Sequence, residues 1–199
     1  MDKDQKFLTE VQISDVPWGR LVTTYGRATD FQRYFDALGS PDAVDAEKAL
    51  DKIGQDIEHQ NTLWPATPFA MIFLARVFEK AVLDLKEGNN RLIISKLLDW
   101  FVEITETFNQ GDEMEHDDPL PHFEDMLKEE YLWPEDEEDD EEKFEEEEIF
   151  PDNLFYSFYY YSNEVLKYLK EKLQPYSDNF DNEDIEISDK TKYLLSIIK

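Results

Sequence analysis

Carboxylate and imidazole side chains, which bind divalent metals or exchange protons, are concentrated in residues 115–125. Their spacing matches neither the His-Glu-x-x-His helix of zinc hydrolases nor a calcium loop with its glycine. Pro119 and Pro121 also separate His116 from His122. The pattern favours a solvated loop, with a metal-dependent hydrolase using His116 and His122 as the minor alternative. The carboxylates of this segment are Glu115, Asp117, Asp118, Glu124 and Asp125.

Other catalytic arrangements are missing from the sequence. The chain has no cysteine, which excludes thiolate metal sites and thiol catalysis, and its 6 glycines form no phosphate-binding loop. No serine stands in a Gly-x-Ser-x-Gly turn. His59 and Gln60 lie at a helix joint and could bind a ligand, but a histidine at a helix end more often binds the last carbonyl groups. We therefore expect no enzymatic activity, no cofactor and no metal site.

The chain carries a large excess of negative charge. It contains 48 acidic residues and 20 basic ones, which gives a formal net charge of -28. Nucleic-acid backbones and anionic lipids are bound through Lys and Arg, so this charge argues against direct binding to DNA, RNA or membranes. It predicts a basic protein as the partner, because opposite fields accelerate encounter.

The negative charge is densest in residues 111–150, with 21 acidic residues against 2 lysines. Within them, the acidic run over residues 134–148 is interrupted only by Lys143 and Phe144, and repulsion between its like charges predicts a flexible insertion at about residues 134–150. Solubility alone is the alternative role of such a run. Nearby aromatic residues can anchor a partner that the carboxylates attract. The expected partner-binding residues are Trp133, Glu137, Glu138, Asp139, Asp140, Glu141, Glu142, Phe144, Glu145, Glu146, Glu147, Glu148, Tyr156 and Tyr160.

The most apolar stretch, residues 62–78, predicts the central element of the fold. Its only charge is Arg76, and apolar residues occupy all sides of the expected helix. A helix of this kind has to be enclosed by other helices. Two prolines and Arg76 leave it too short for a bilayer, so we expect a core helix and no membrane span.

Apolar residues spaced three and four apart predict further helices. Proline, glycine and capping residues set their ends. After a loose segment at 1–14, the predicted helices cover residues 17–25, 29–38, 41–59, 62–85, 92–108, 119–131, 151–174 and 189–199. No alternating stretch predicts a sheet, so the fold class is all-α, in a single domain over residues 1–199. Short connections favour a short α-solenoid of antiparallel helix pairs, with a compact irregular helical bundle as the alternative.

Two segments carry a family resemblance. VPWGRLVTTYGRATD at residues 16–30 and DIEHQNTLWPATPFAMIFLARV at residues 56–77 resemble a group of bacterial HEAT-repeat-like proteins with a His-Gln-Gly-Thr joint between helices. Asn61 replaces the usual glycine here and tolerates left-handed backbone angles better than most residues. The resemblance implies a helical scaffold without enzymatic activity, of the kind proposed as immunity proteins beside bacterial polymorphic toxins.

These observations lead to one preferred function and one alternative. The first is an immunity (antitoxin-like) protein that occludes a basic toxin, such as a nuclease, because clustered carboxylates can replace phosphates in a positive active-site groove. The alternative is a general acidic scaffold or chaperone for basic proteins. We expect cytoplasmic residence, since the first residues show no apolar export signal.

Overall fold

The computed structural model describes residues 2–144, 149–174 and 184–199, and it is mostly helical. This confirms the all-α class. The helices are α1 (Lys3–Glu10), α2 (Phe31–Ala37), α3 (Ala43–Ile57), α4 (Thr67–Leu83), α5 (Asn90–Gly111), α6 (Asp140–Phe144), α7 (Asp152–Leu173) and α8 (Ile185–Ile197). Two antiparallel hairpins of two-residue strands lie between helices. The first, β1 (Val22–Thr23) with β2 (Gly26–Arg27), lies between α1 and α2, and the second, β3 (Glu58–His59) with β4 (Thr62–Leu63), lies between α3 and α4.

Helix α4 is the buried central helix that the sequence predicts. Its residues from Thr67 to Ala75 are all buried, and so are Phe78 and Ala81. α4 packs mainly against α7 and α5, which enclose its apolar sides.

Residues 1–14 were expected to be loose, and this expectation is wrong. Asp2 caps α1 by accepting a hydrogen bond from the Gln5 amide, and Leu8 is buried. The Arg76 guanidinium donates to the Leu8 and Val11 carbonyl oxygens at 2.7 Å each. Arg76, the single charge of residues 62–78, thus binds the carbonyl groups at the end of α1.

The predicted helix over residues 17–25 is also wrong. The chain forms a 3-10 turn at Trp18–Arg20 and then the β1–β2 hairpin, whose Gly26 has a φ of 117°. Glycine adopts such an angle without a steric penalty, so the hairpin turn replaces the helix that Gly26 was expected to end.

The β3–β4 hairpin forms the joint between α3 and α4. Its two loop residues, Gln60 and Asn61, have φ of 53° and 59°, as a two-residue turn with left-handed residues requires. The left-handed conformation proposed for Asn61 is therefore confirmed. The Asn61 amide donates to the buried Glu58 carboxylate at 2.9 Å, which closes the turn.

Residues 119–131 form no α-helix, contrary to prediction. They contain 3-10 turns at Phe123–Leu127 and Glu129–Tyr131. Tertiary partners take the polar groups of their backbone: Ser157 Oγ accepts from the Leu120 amide at 2.8 Å, and Asp4 accepts from the Phe123 amide at 2.9 Å. Such bonds, together with the full burial of Phe123, favour the irregular path over a helix.

The arrangement of the helices does not confirm the solenoid. In a stack of helix pairs, each pair contacts only its neighbours along the chain. Here α5 packs against α3, α4, α7 and α8, and the main neighbour of α4 is α7, which is far from it in sequence. The last helices, α7 and α8, pack on α4 and α5 instead of extending a stack.

Candidate partner-binding site

The acidic run is attached to the folded body by Arg27, on strand β2. All five N–H groups of this buried guanidinium have acceptors. Nη1 donates to the Gly19 and Pro134 carbonyl oxygens at 2.7 and 2.9 Å, and Nη2 reaches the Asp136 carbonyl at 3.4 Å. Nε and Nη2 also bind the Asp140 carboxylate. The start of the acidic run therefore has a defined position on the first hairpin.

Arg20 makes a second attachment beside the first. Its Nε donates to the Trp133 carbonyl oxygen at 2.6 Å, and the Trp133 amide donates back to the Arg20 carbonyl at 3.1 Å. The Arg20 guanidinium also binds both carboxylate oxygens of Glu129, at 2.9 and 2.6 Å. This hydrogen bonding lowers the pKa of the exposed Glu129 carboxyl.

The predicted partner-binding acids have different positions. Glu137, Glu138 and Asp139 form an exposed 3-10 turn, and Glu141 is exposed in α6. Asp140 instead faces Arg27 and is an internal anchor. Glu142 lies in α6, and Glu145, Glu146, Glu147 and Glu148 lie outside the described residues. The flexibility expected of residues 134–150 stays a prediction.

The aromatic residues expected to anchor a partner lie mostly inside the protein. Trp133 is 2 % exposed, and Arg20 holds its backbone against the body through two hydrogen bonds. Tyr156 is 7 % exposed, stacks on His116 with 3.4 Å between ring centroids, and donates to Asp112. Tyr160 is half-buried, and Phe144 belongs to α6. Both Trp133 and Tyr156 pack against the body, and their role in binding stays a prediction.

A cleft of about 640 Å³ lies between the first hairpin, Trp64 in the connection from β4 to α4, and the acidic run. We call it the hairpin cleft. Its walls include Tyr25, Trp64 and Phe150, with Trp133 at its base and Glu137 at its rim. Sequence reasoning missed Arg20, Tyr25 and Arg27 because the turn chemistry of Thr-Tyr-Gly was interpreted as the end of a helix. It missed Trp64 because that residue was placed in the predicted helix over residues 62–85, whereas α4 begins at Thr67.

Tyr25, at the tip of the first hairpin, is the most exposed aromatic side chain of the described residues, at 62 %. It lies beside His59 of the second hairpin, with ring centroids 5.6 Å apart and its hydroxyl 3.5 Å from His59 Nδ1. Lys52 Nζ lies 5.7 Å from the centre of the Tyr25 ring. The two hairpin tips thus form one surface beside the cleft.

His59 does not bind the carbonyl groups at the end of α3, so that interpretation of His59 and Gln60 is wrong. The Asp56 carbonyl accepts from the Thr24 amide at 2.9 Å, and the Ile57 carbonyl accepts from the Thr67 hydroxyl at 2.5 Å. His59 is exposed in β3.

The histidines between residues 115 and 125 have separate neighbours. His116 stacks on Tyr156, whereas His122 Nδ1 lies 3.7 Å from the Asp4 carboxylate. Within residues 2–144, 149–174 and 184–199, no group of three or more His, Cys, Asp or Glu residues is placed to hold a metal ion. The hydrolase alternative therefore gains no geometric support.

The described residues define an all-α protein with an acidic, aromatic cleft between the first hairpin, Trp64 and the acidic run. Comparison of the chain with protein-family models, curated proteins and solved structures finds no match. The HEAT-like resemblance is therefore an expectation from the quoted segments alone. Over the described ranges, no helix combines the length and apolar character needed to cross a bilayer.

Proposed function

We propose that this protein is an immunity (antitoxin-like) protein of the cytoplasm that binds a basic toxin domain and occludes its active site, without enzymatic activity of its own. One observation carries the proposal: Arg27 and Arg20 hold the start of the acidic run in place, so that the carboxylates of the turn Glu137–Asp139 project from a fixed backbone. Charges held in position bind an oppositely charged groove at a lower ordering cost than those of a free tail.

The charge balance supports the same proposal. Most of the cations in the chain are already paired with its own acids, as Lys96 is with Glu47 and Asp51. Because the chain has 48 acids for only 20 bases, its own cations cannot pair with all of its acids. A cationic groove that normally binds phosphates would complement this surface.

The proposal is tested by neutralising the exposed acids while keeping the anchor. We would replace Glu135, Asp136, Glu137, Glu138, Asp139 and Glu141 by their amides. Asp140 would be kept, since its loss would leave the buried Arg27 guanidinium without its carboxylate partner. The product of the neighbouring gene, where it carries a short basic C-terminal domain, is the candidate toxin. Protection of cells from that domain should be lost, while circular dichroism stays unchanged. Full protection by the neutralised protein would refute charge-led occlusion.

The general acidic scaffold is the second candidate, favoured by the high charge density alone. It predicts binding to many basic proteins, such as lysozyme, that disappears with added salt. An immunity protein should hold one partner even at raised salt, because desolvated contacts supplement the charges. Measuring the affinity for the candidate toxin domain and for lysozyme at two salt concentrations separates the two functions.

A further inference from the structure

The accessible charge of the hairpin cleft is negative although Arg27 lines it. The Arg27 side chain is only 6 % exposed, and all of its donors are occupied by Asp140 and by backbone carbonyl groups. Glu137, in contrast, is exposed at the rim. A group that enters the cleft therefore meets a free carboxylate and no free cation among the described lining residues.

The walls of the cleft suit a long cationic side chain. Tyr25, Trp64 and Phe150 line the cleft, and the exposed Tyr25 ring lies beside His59 and Lys52. Aromatic faces attract guanidinium and ammonium groups and cover the methylene groups that carry them. Glu137 can then bind the charged end of the same side chain.

Two polar atoms beside the cleft point to a peptide rather than a free cation. Thr24 Oγ1 and Trp64 Nε1 are covered from solvent and have no hydrogen-bond partner in the part of the chain that the structure describes. An indole N–H is only a donor, so it needs an acceptor such as a peptide carbonyl. A peptide carbonyl that bound Trp64 Nε1 would satisfy a group that is costly to leave unpaired.

We propose that the hairpin cleft receives an extended segment of the basic partner, with an arginine or lysine side chain packed between Tyr25 and Trp64 and its charge on Glu137. This inference rests on the proposed function and names the contact through which the partner binds. The remaining exposed acids, such as Glu138, supply long-range attraction without direct contact in the cleft.

The probe for this inference is a blocked octa-arginine peptide, with octa-citrulline as its uncharged analogue of equal shape. Trp64 and Trp133 line the cleft, so binding is followed by tryptophan fluorescence of the full chain. We expect saturable binding of octa-arginine and at least about tenfold weaker binding of octa-citrulline.

The decisive comparison is between Glu137→Lys and Glu138→Lys. Both change the net charge equally and both replace an exposed residue of one turn, but only Glu137 lines the cleft. We expect Glu137→Lys to weaken octa-arginine binding about tenfold more than Glu138→Lys. Tyr25→Ala should also weaken binding, whereas Tyr193→Ala, which removes an exposed tyrosine from α8, should not.

The outcomes separate this inference from the proposed function. Equal weakening by the two lysine variants overturns the cleft and leaves the acidic surface as the binding feature. Equal affinity for octa-arginine and octa-citrulline overturns both. Unchanged circular dichroism and unfolding midpoints of all four variants exclude misfolding as the cause of any loss.

Discussion

Arg27 of the first hairpin and Asp140 of the acidic run form an ion pair between residues 113 positions apart in sequence. The Nε–Oδ2 distance is 3.1 Å, and the Arg27 side chain is almost fully buried. This pair joins the acidic run to the same hairpin that forms one wall of the cleft. The position of the exposed carboxylates therefore depends on a residue far from them in sequence.

Replacing Arg27 by alanine should destabilise the protein. The change removes five hydrogen bonds and leaves the Asp140 carboxylate and three backbone carbonyl groups without their donor. We expect the free energy of unfolding in urea to fall by about 2–4 kcal/mol. Arg33→Ala is the matched control, because Arg33 is exposed and its ion pair with Asp30 contributes at most about 0.5 kcal/mol. Equal effects of the two substitutions would contradict the anchoring role of Arg27.

Gly54→Ala should destabilise the contact between α3 and α5. A Cβ atom at Gly54 would lie 1.9 Å from the Trp100 ring, so the ring or the helices must move. Overpacking of this kind costs about 1–3 kcal/mol. Thermal and urea unfolding of Gly54→Ala alone and combined with Trp100→Ala measure the effect. The penalty of the alanine at 54 should shrink in the absence of the ring, and a penalty that stays the same would rule out a steric cause.

The turn at Asn61 predicts a residue-specific response. Its φ of 59° is accessible to glycine and asparagine but is strained for a β-branched residue. Asn61→Val should lower the free energy of unfolding by about 1–2 kcal/mol, and Asn61→Gly should change it by less than about 0.5 kcal/mol. The unfolding midpoints of both variants provide the measurement. If valine were tolerated as well as glycine, the left-handed turn would not be required.

The stability of the protein should increase as the pH falls from neutral towards the ordinary pKa values of its buried carboxyl groups. Burial raises the pKa of the Asp56, Glu79 and Glu103 carboxyl groups above their ordinary values of 3.8, 4.5 and 4.5. The folded state therefore binds protons more tightly than the unfolded chain, so stability is gained as the pH falls through the folded pKa values and is complete below the ordinary ones.

Thermal unfolding at several pH values tests this expectation, with Glu79→Gln as the variant that should flatten the dependence. The pKa of Glu129 is lowered, so this group makes the folded state less stable as the pH falls. Its contribution is small, because the carboxylate is exposed and solvent screens its pair with Arg20. Stability that decreases steadily as the pH falls from neutral towards those ordinary pKa values would contradict the dominant role of the buried carboxyl groups.

Local patterns predicted much of the helical structure. The predicted helix over residues 29–38 contains α2, and the apolar stretch over residues 62–78 marked α4 as the buried helix. Asn61 was identified as a left-handed turn residue from its type alone. These predictions succeeded because they depend on residues within a few positions of each other.

The candidate site was only partly predictable. The exposed acids of Glu137–Asp139 followed from charge repulsion and solvation, which act wherever acids are dense. The interior positions of Trp133 and Tyr156 did not follow, because burial depends on what a distant segment supplies. The absence of the expected helix at Phe123 was likewise not predictable, because the Phe123 amide binds the distant Asp4 carboxylate and the Phe123 ring is buried.

Composition and periodicity were thus enough to determine an all-α chain with an apolar central helix and a concentrated acidic region. Tertiary structure alone decided that α4 packs on α7, that Arg20 and Arg27 position the acidic run, and that the first hairpin forms a cleft beside it. The physical reason is range: helix formation and like-charge repulsion act between near neighbours, whereas the partner of a buried guanidinium or aromatic ring is chosen by the packing of the whole chain.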